Sequence, residues 1–502
     1  MISFRRDAAR LAVLVLVATS VAAGSIQLDQ YASTVQEFKL ANGLRVILVE
    51  DHGSPVVTAC LTARGGYADD PKGMRGLASL VPLLLEHGPE QLGSRNLTEE
   101  RAAIKAMNAA YAEWKALEQK PGASAMYDRL QTEAKLKVAT RTAEALAKPQ
   151  FSARALGLYG AKPFRAVTTA DHIQWSARLP SNRVDAFLLL YGEWLRQPLP
   201  RLISWSKEQR AQAFAQTQGT QDAAIRRTIL SLAYGTSGYG LTEWEQAEAE
   251  RIQFPDVEAF LKSRLVASNL VLTLAGDLTL ESARAMTEKY MGKVPAGSPF
   301  TPAPLTAAEP REVRAASPPE APLAIAVGYR RPPEFDPDDP TMDVIQELMI
   351  EGTSSRFRKE FLRAHPMLAG VIPLASIPGS VRGGLMVTIV PHHPAKRPIE
   401  WVNLIGEFIE QAGKTPMSEE SVTRAQRSLE TRLLGVLADP SQAAHYIGRM
   451  GDWARTAELP KAWARVTPAD VQRVAAKHLR PELRVILQPG YNPSSASAGV
   501  SK

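Results

Sequence analysis

At 502 residues, 45% hydrophobic and 22% charged, the chain has the composition of a soluble globular protein long enough for two or more domains with full cores. Its formal charge of +7 is modest for this length and no basic run is interleaved with aromatics, which argues against nucleic acid as a partner. A single cysteine, Cys60, excludes an intramolecular disulfide.

The chain opens MISFRRDAARLAVLVLVATSVAAGS, with basic Arg5, Arg6 and Arg10, an apolar run from Leu11 to Val17, and small residues at Val21, Ala22 and Ala23. That order reads as a secretory signal peptide over 1–23, with an uncleaved anchor as the alternative, because the apolar run is short for a membrane span. No stable membrane insertion is expected after cleavage, and the mature chain is expected in the periplasm or secreted. Phe38 to Val49 holds two strand patterns around Asn42-Gly43, a hairpin signal, and Pro55 to Ala63 alternates as a third strand. A loop rich in Gly and Asp then leads into GLASLVPLLLEHG, Gly76 to Gly88, whose apolar run predicts a buried helix with a polar end at Glu86-His87.

From Asn96 to Ala147 the sequence turns alanine-rich and charged, and Asn96 with Glu99 forms a capping-box start. Ile104, Met107, Tyr111, Trp114 and Leu117 recur at helical spacing. So do Met126, Leu130, Ala134 and Val138 beyond Lys120-Pro121-Gly122, which predicts an antiparallel helical hairpin packed through both stripes. Ala161 to Pro180 has strand character and Val184 to Leu195 predicts an amphipathic helix. Asp256 to Asp277 reads helix, turn, strand, and Asp470 to Gly490 echoes it without gaps about 214 residues later. A second echo, Leu84 to Gly88 with Leu348 to Gly352, has an offset of about 264 residues, larger by about the length of the hairpin.

These echoes define an α+β fold of two homologous α/β-sandwich domains, a duplicated unit, with the hairpin 96–147 inserted into the first copy only. The expected boundaries are 24–294 for the first domain, a Pro-rich linker over 295–322, 323–490 for the second domain and a disordered tail over 491–502.

The succession of hairpin, third strand and Gly76–Gly88 helix resembles the zinc-site region of the pitrilysin/insulinase family of metallopeptidases. There the matching helix reads roughly GLAHFLEHMLFKGT and carries H-x-x-E-H, two histidines on one helical face gripping zinc while the Glu activates a water. Anchored on Gly76-Leu77-Ala78 and on Gly88, the family's histidines fall on Ser79 and Leu83 and its glutamate on Pro82. Glu86-His87 would complete a shifted motif only with a histidine at 83, where leucine stands. The family's third ligand is a Glu on a later helix, and the corresponding stretch Ala211 to Gln221 contains no carboxylate.

In active members of the family the second domain supplies an Arg and a Tyr seven residues apart, which stabilise the tetrahedral oxyanion. Arg363 matches that Arg and Gly370 replaces the Tyr, with a surface salt-bridge role the alternative for Arg363. Gly352 to Arg356 is similar to the family's G-x-S-S-R helix start. Arg165, Ala166, Val167 and Thr168 occupy the place of the edge strand that receives substrate peptide, with a paired interior strand as the alternative reading.

The resemblance implies a non-catalytic subunit that holds no cofactor of its own and pairs with a zinc-bearing insulinase-family homologue, as in the two-subunit mitochondrial processing peptidase, or with itself. Zinc is then expected in the partner subunit, and peptides as substrates. A peptidase active alone through other ligands and a purely structural or peptide-binding scaffold are the competing readings.

Overall fold

The computed structural model describes residues 28–118, 120, 123–162, 164–305 and 311–491. The expected signal peptide 1–23 and the expected tail beyond Tyr491 lie outside the described residues.

Two mixed sheets carry the fold. The first contains β1 (Val35–Lys39), β2 (Arg45–Glu50), β3 (Val56–Arg64), β4 (Phe164–Thr168), β5 (His172–Pro180) and β6 (Leu270–Gly276), in the order β1-β2-β6-β3-β5-β4. The turn joining β1 to β2 places Gly43 at φ 94, a conformation that favours glycine, as the Asn42-Gly43 signal predicts. β3 was expected to alternate, yet every residue from Val57 to Ala63 is buried. Its side chains are covered on both faces of the sheet, so Thr58, Cys60 and Thr62 are as enclosed as their apolar neighbours.

The second sheet contains β7 (Val313–Ala316), β8 (Ala324–Arg330), β9 (Ile372–Ile377), β10 (Leu385–Pro391) and β11 (Val485–Gln488), in the order β7-β11-β8-β10-β9. It repeats five strands of the first sheet in order and in sense. β2 and β6 are parallel, as are β7 and β11, and the remaining pairings among these five strands of each sheet are antiparallel. The two copies of the helix–strand echo are Phe254–Arg264 before β6 and Pro468–His478 before β11, each 11 residues long.

In the first copy α1 (Leu77–Leu85) follows β3 and packs on β4 and β5. The insertion is an antiparallel pair, α2 (Leu97–Glu118) and α3 (Ala123–Ala145). Two backbone bonds close its base, from the N–H of Arg95 to the carbonyl of Leu146 and from that of Lys148 to the carbonyl of Gly93, each 2.8 Å. On α2 the expected stripe packs, with Met107 and Tyr111 buried. On α3 it does not: Met126, Leu130 and Val138 are 59%, 57% and 65% exposed, and Ala134 is exposed too. The buried residues of α3 are Leu136 and Ala143. Two residues correspond to about 200° of helix rotation, so the inward face is nearly opposite the predicted stripe.

After the insertion come α4 (Val184–Arg196), α5 (Ile203–Gln218), α6 (Gln221–Tyr234), α7 (Phe254–Arg264) and α8 (Leu280–Met291). α4 packs against α8, and a Cβ on Gly192 would lie 2.1 Å from the carbonyl oxygen of Tyr290, so the close approach of these helices requires glycine there.

Packing separates the described chain into two units. One comprises Glu37–Thr217 and Thr242–Ala303; the other comprises Gln218–Leu241, the residues from Pro304 onward and the short stretch before Glu37. The first-domain boundaries 24–294 therefore do not coincide with a unit, because α6 packs on β7, β8 and β11 of the second sheet. Tyr234 at its end donates its hydroxyl to the carbonyl of Gly383 at 3.1 Å. Nor is the expected linker 295–322 wholly a connection, since it contains β7, paired in parallel with β11.

Candidate functional site

The helix that resembles the zinc helix is set by its N-terminus. Gly76 has φ 108, and a Cβ there would sit 2.7 Å from the Trp244 ring, so glycine is the residue that fits this close left-handed turn. The carboxylate of Asp70 accepts from the backbone N–H groups of Gly76 and Ala78, both at 2.8 Å, and so caps the helix from outside its own first turn. The helix that follows is buried at eight of its nine positions, Leu83 being the exception.

Two of the three positions of the degenerate motif, Ser79 and Pro82, take part in hydrogen bonding that joins α1 to its neighbours. The hydroxyl of Ser79 is buried and donates to the carbonyl of Glu243 at 3.0 Å. The Glu243 carboxylate in turn forms a 2.5 Å ion pair with Arg210 of α5, the helix that ends in the carboxylate-free stretch. Pro82 has no backbone N–H, which leaves the carbonyl of Ala78 without its helical partner. The hydroxyl of Thr168, at the end of β4, donates to that carbonyl at 3.2 Å. Hydrogen bonds and an ion pair therefore join the elements that a metal would otherwise bridge, and these side chains do not fit zinc. Among the described residues no three His, Cys, Asp or Glu side chains converge as a metal site.

Glu86 and His87 do not rescue the motif. His87 is fully buried, with its ring edge-on to Trp205 at 5.2 Å. Its Nδ1 accepts the N–H of Gln150 at 3.1 Å, which assigns the proton to Nε2, 3.3 Å from the Ser206 hydroxyl. Neither nitrogen keeps a free lone pair for a metal. Burial, with the nearby Arg201 charge, lowers the imidazole to about 4, so it is neutral at physiological pH. Burial pushes the adjacent Glu86 carboxyl up to about 7. Arg201 is itself enclosed. It pairs with Glu100 at the start of α2 through bonds of 2.7 and 2.9 Å, and donates to the carbonyls of Gly88, Pro89 and Glu90.

β4, which contains Arg165, Ala166, Val167 and Thr168, is the edge of its sheet, paired with β5 on one side. Arg165 and Val167 are exposed, alternating with half-buried Ala166 and Thr168. In the other unit Arg363 lies in a short helix, Leu362–Ala364; it is exposed and, among the described residues, engaged by no hydrogen bond or ion pair. Gly370, seven residues on, stands before the edge strand β9, and a Cβ added to it would meet nothing within 4 Å. Gly352 of the G-x-S-S-R-like segment is tight by contrast, a Cβ there falling 2.9 Å from the carbonyl oxygen of Glu347.

Sequence reasoning found no carboxylate in Ala211 to Gln221 and missed Arg210 and Glu243, whose ion pair ties α5 to the residue that holds Ser79. Arg210 stands just before a stretch without carboxylates, but its partner is on another element and no local spacing signals it.

Residues 251–429 match the family described as the peptidase M16 inactive domain. No curated protein sequence matches the chain. Among solved structures, the chain is similar to a protease from Helicobacter pylori, with a TM-score of 0.70 at 14% identity over 90% of this chain and 98% of that one. It is similar to a peptidase M16 inactive domain from Pseudomonas fluorescens, with a TM-score of 0.64 at 18% identity over 90% and 97% of the two chains. The first half of the periplasmic protease PqqL from Escherichia coli gives 0.63 at 15% identity over 93% and 94%. At these identities the structures establish the fold, and they do so well beyond the segment that matches in sequence.

Proposed function

We propose that this insulinase-family homologue, whose zinc helix carries none of the zinc ligands, is the non-catalytic subunit of an exported metallopeptidase and pairs with a zinc-bearing homologue. The observation that supports the reading is that Ser79 donates to the Glu243 carbonyl, Arg210 pairs with the Glu243 carboxylate and a proline stands at 82, where the resemblance places the catalytic glutamate. Zinc belongs to the partner subunit on this reading, and the substrates are peptides. The edge position of Arg165, Ala166, Val167 and Thr168 supports a role in receiving an extended peptide by strand addition. Arg363, exposed and uncommitted, lends an oxyanion-stabilising charge; the tyrosine that would assist it is absent at Gly370. Export is supported by the signal-like first 23 residues and by the periplasmic origin of one structural neighbour.

The test is cleavage of a quenched, unstructured peptide, with metal analysis, by the purified chain alone and mixed with its nearest homologue bearing H-x-x-E-H. Inactivity alone, activity in the mixture and a fall of about tenfold or more on Arg363→Ala are the expected results. One tightly held zinc per chain with cleavage by the chain alone would overturn the proposal. A zinc-bearing homologue equally active without this chain would also overturn it, in favour of a scaffold.

A further inference from the structure

The inserted hairpin forms one wall of a cleft of about 800 Å³, within the range of small-molecule sites. The facing wall is residues 200–208, at the start of α5, and residues 247–254, at the start of α7. The apolar part of the lining includes Met107, Leu136 and Phe254, each buried, with Trp114 and Trp205 half-buried beside them.

Most of the charges around this lining are already engaged. Arg201 is paired with Glu100, and Lys137 with Glu133. Lys207 donates to the backbone carbonyls of Glu250 and Ile252, and Glu144 accepts the N–H of Ser204. Arg141 on the hairpin wall and Arg251 on the opposite wall are exposed and, among the described residues, have no ion-pair or hydrogen-bond partner. Among the described residues Glu208 is the lining carboxylate without a partner, while Glu144 and Glu250 accept only from the neutral N–H of Ser204 and the amide of Gln246. Counted over the whole lining, five cationic and five carboxylate side chains balance, and Arg141 and Arg251 are distinguished by having no partner among the described residues. A lining without excess positive charge suits a monoanion better than a phosphate dianion, and the guanidinium fork of the two unpartnered arginines matches a carboxylate.

We propose that this cleft binds an amphiphile with an apolar chain and one carboxylate, the chain lying against Met107, Leu136 and Phe254 and the carboxylate held by Arg141 and Arg251. A free fatty acid and the apolar C-terminus of a peptide both present this chemistry. The inference does not depend on the subunit reading, because every wall of the cleft belongs to one unit of this chain.

The experiment is calorimetric titration of the full chain with dodecanoate, dodecylammonium, and a decapeptide ending in Leu-Leu with its C-terminus free or amidated. One site per chain is expected, taken by dodecanoate or by the free-carboxylate peptide and not by the ammonium or the amide. Arg141→Glu/Arg251→Glu, at two exposed positions, weakens binding about tenfold or more, and Arg141→Gln alone does so about threefold. Binding of dodecanoate alone identifies a lipid ligand and binding of the free peptide alone a peptide terminus; either upholds the proposal. Absence of a single site, equal binding of ammonium and carboxylate, or an affinity unmoved by charge reversal would overturn it.

Discussion

Thr168 and Pro82 meet at the carbonyl of Ala78: the proline withholds the helical N–H from it, and the threonine hydroxyl takes that place at 3.2 Å. The edge strand is thereby tied to the helix at the turn where the resemblance places the family's catalytic glutamate. Thr168→Val leaves a carbonyl unsatisfied and is expected to cost about 1–2 kcal/mol. In a Pro82→Ala background, where the N–H of residue 82 is restored, the same change is expected to cost much less. Chemical denaturation of the four members of the cycle measures the coupling, and additive effects would disprove the link.

Adjacent Glu86 and His87 give opposite dependences of stability on pH. Between about 4.5 and 7 the folded chain keeps a proton on Glu86 that the unfolded chain has released, so this contribution falls as pH rises through that window. Between about 4 and 6.5 the unfolded chain binds a proton that folded His87 lacks, so the histidine contribution rises with pH. Glu86→Gln removes the first dependence and leaves the second. The variant is expected to gain on the parent chain from pH 4.5 to 7 and to level off at about 1–2 kcal/mol, the full conversion being discounted for partial exposure. Urea unfolding at pH 5 and pH 7.5 reads the difference; an equal gain at both would contradict the assignment.

The Arg201–Glu100 pair joins the base of the insertion to the chain just after α1. Arg201→Met leaves a buried carboxylate unpaired and is expected to destabilise the unit by about 3–5 kcal/mol. Glu100→Leu/Arg201→Met recovers only part of this. It removes the stranded charge but leaves the carbonyls of Gly88, Pro89 and Glu90 without their donor, at about 1–3 kcal/mol for each that water does not reach. Thermal unfolding of the parent and both variants orders them.

The exposed stripe of α3 makes the simplest contrast. Leu130→Gln and Val138→Gln are expected to change stability by less than about 0.5 kcal/mol, while Leu136→Ala costs about 2–3 kcal/mol. A large loss at Leu130 would mean that the predicted face packs after all.

What could be read from the sequence follows the range of the interactions concerned. The helix–strand echo fell on Phe254–Arg264 with β6 and on Pro468–His478 with β11 because each is a local unit whose pattern is complete within about twenty residues. Ser79 and Pro82 enter the comparison with the zinc helix through Gly76, whose turn is a local signal. The α3 stripe was misjudged because a four-residue spacing identifies one face of a helix without saying which way it points. α6 was assigned to the wrong unit for a related reason: its periodicity predicts a buried face but does not name the sheet that buries it. Arg210 and Glu243, thirty-odd residues apart, carry no spacing signal.

The membership of Gln218–Leu241 has a consequence for dissection of the molecule. Cleaving the chain once in the Pro-rich connection does not separate it into the two halves that the repeat suggests, because a helix encoded in the first half is built into the second. The fragments would remain stitched together through α6, and the C-terminal fragment made by itself would expose the surfaces of β7, β8 and β11 that this helix covers. Preparing either unit alone therefore calls for a rearranged gene that carries residues 218–241 along with the C-terminal half and rejoins Thr217 to Thr242 in the other.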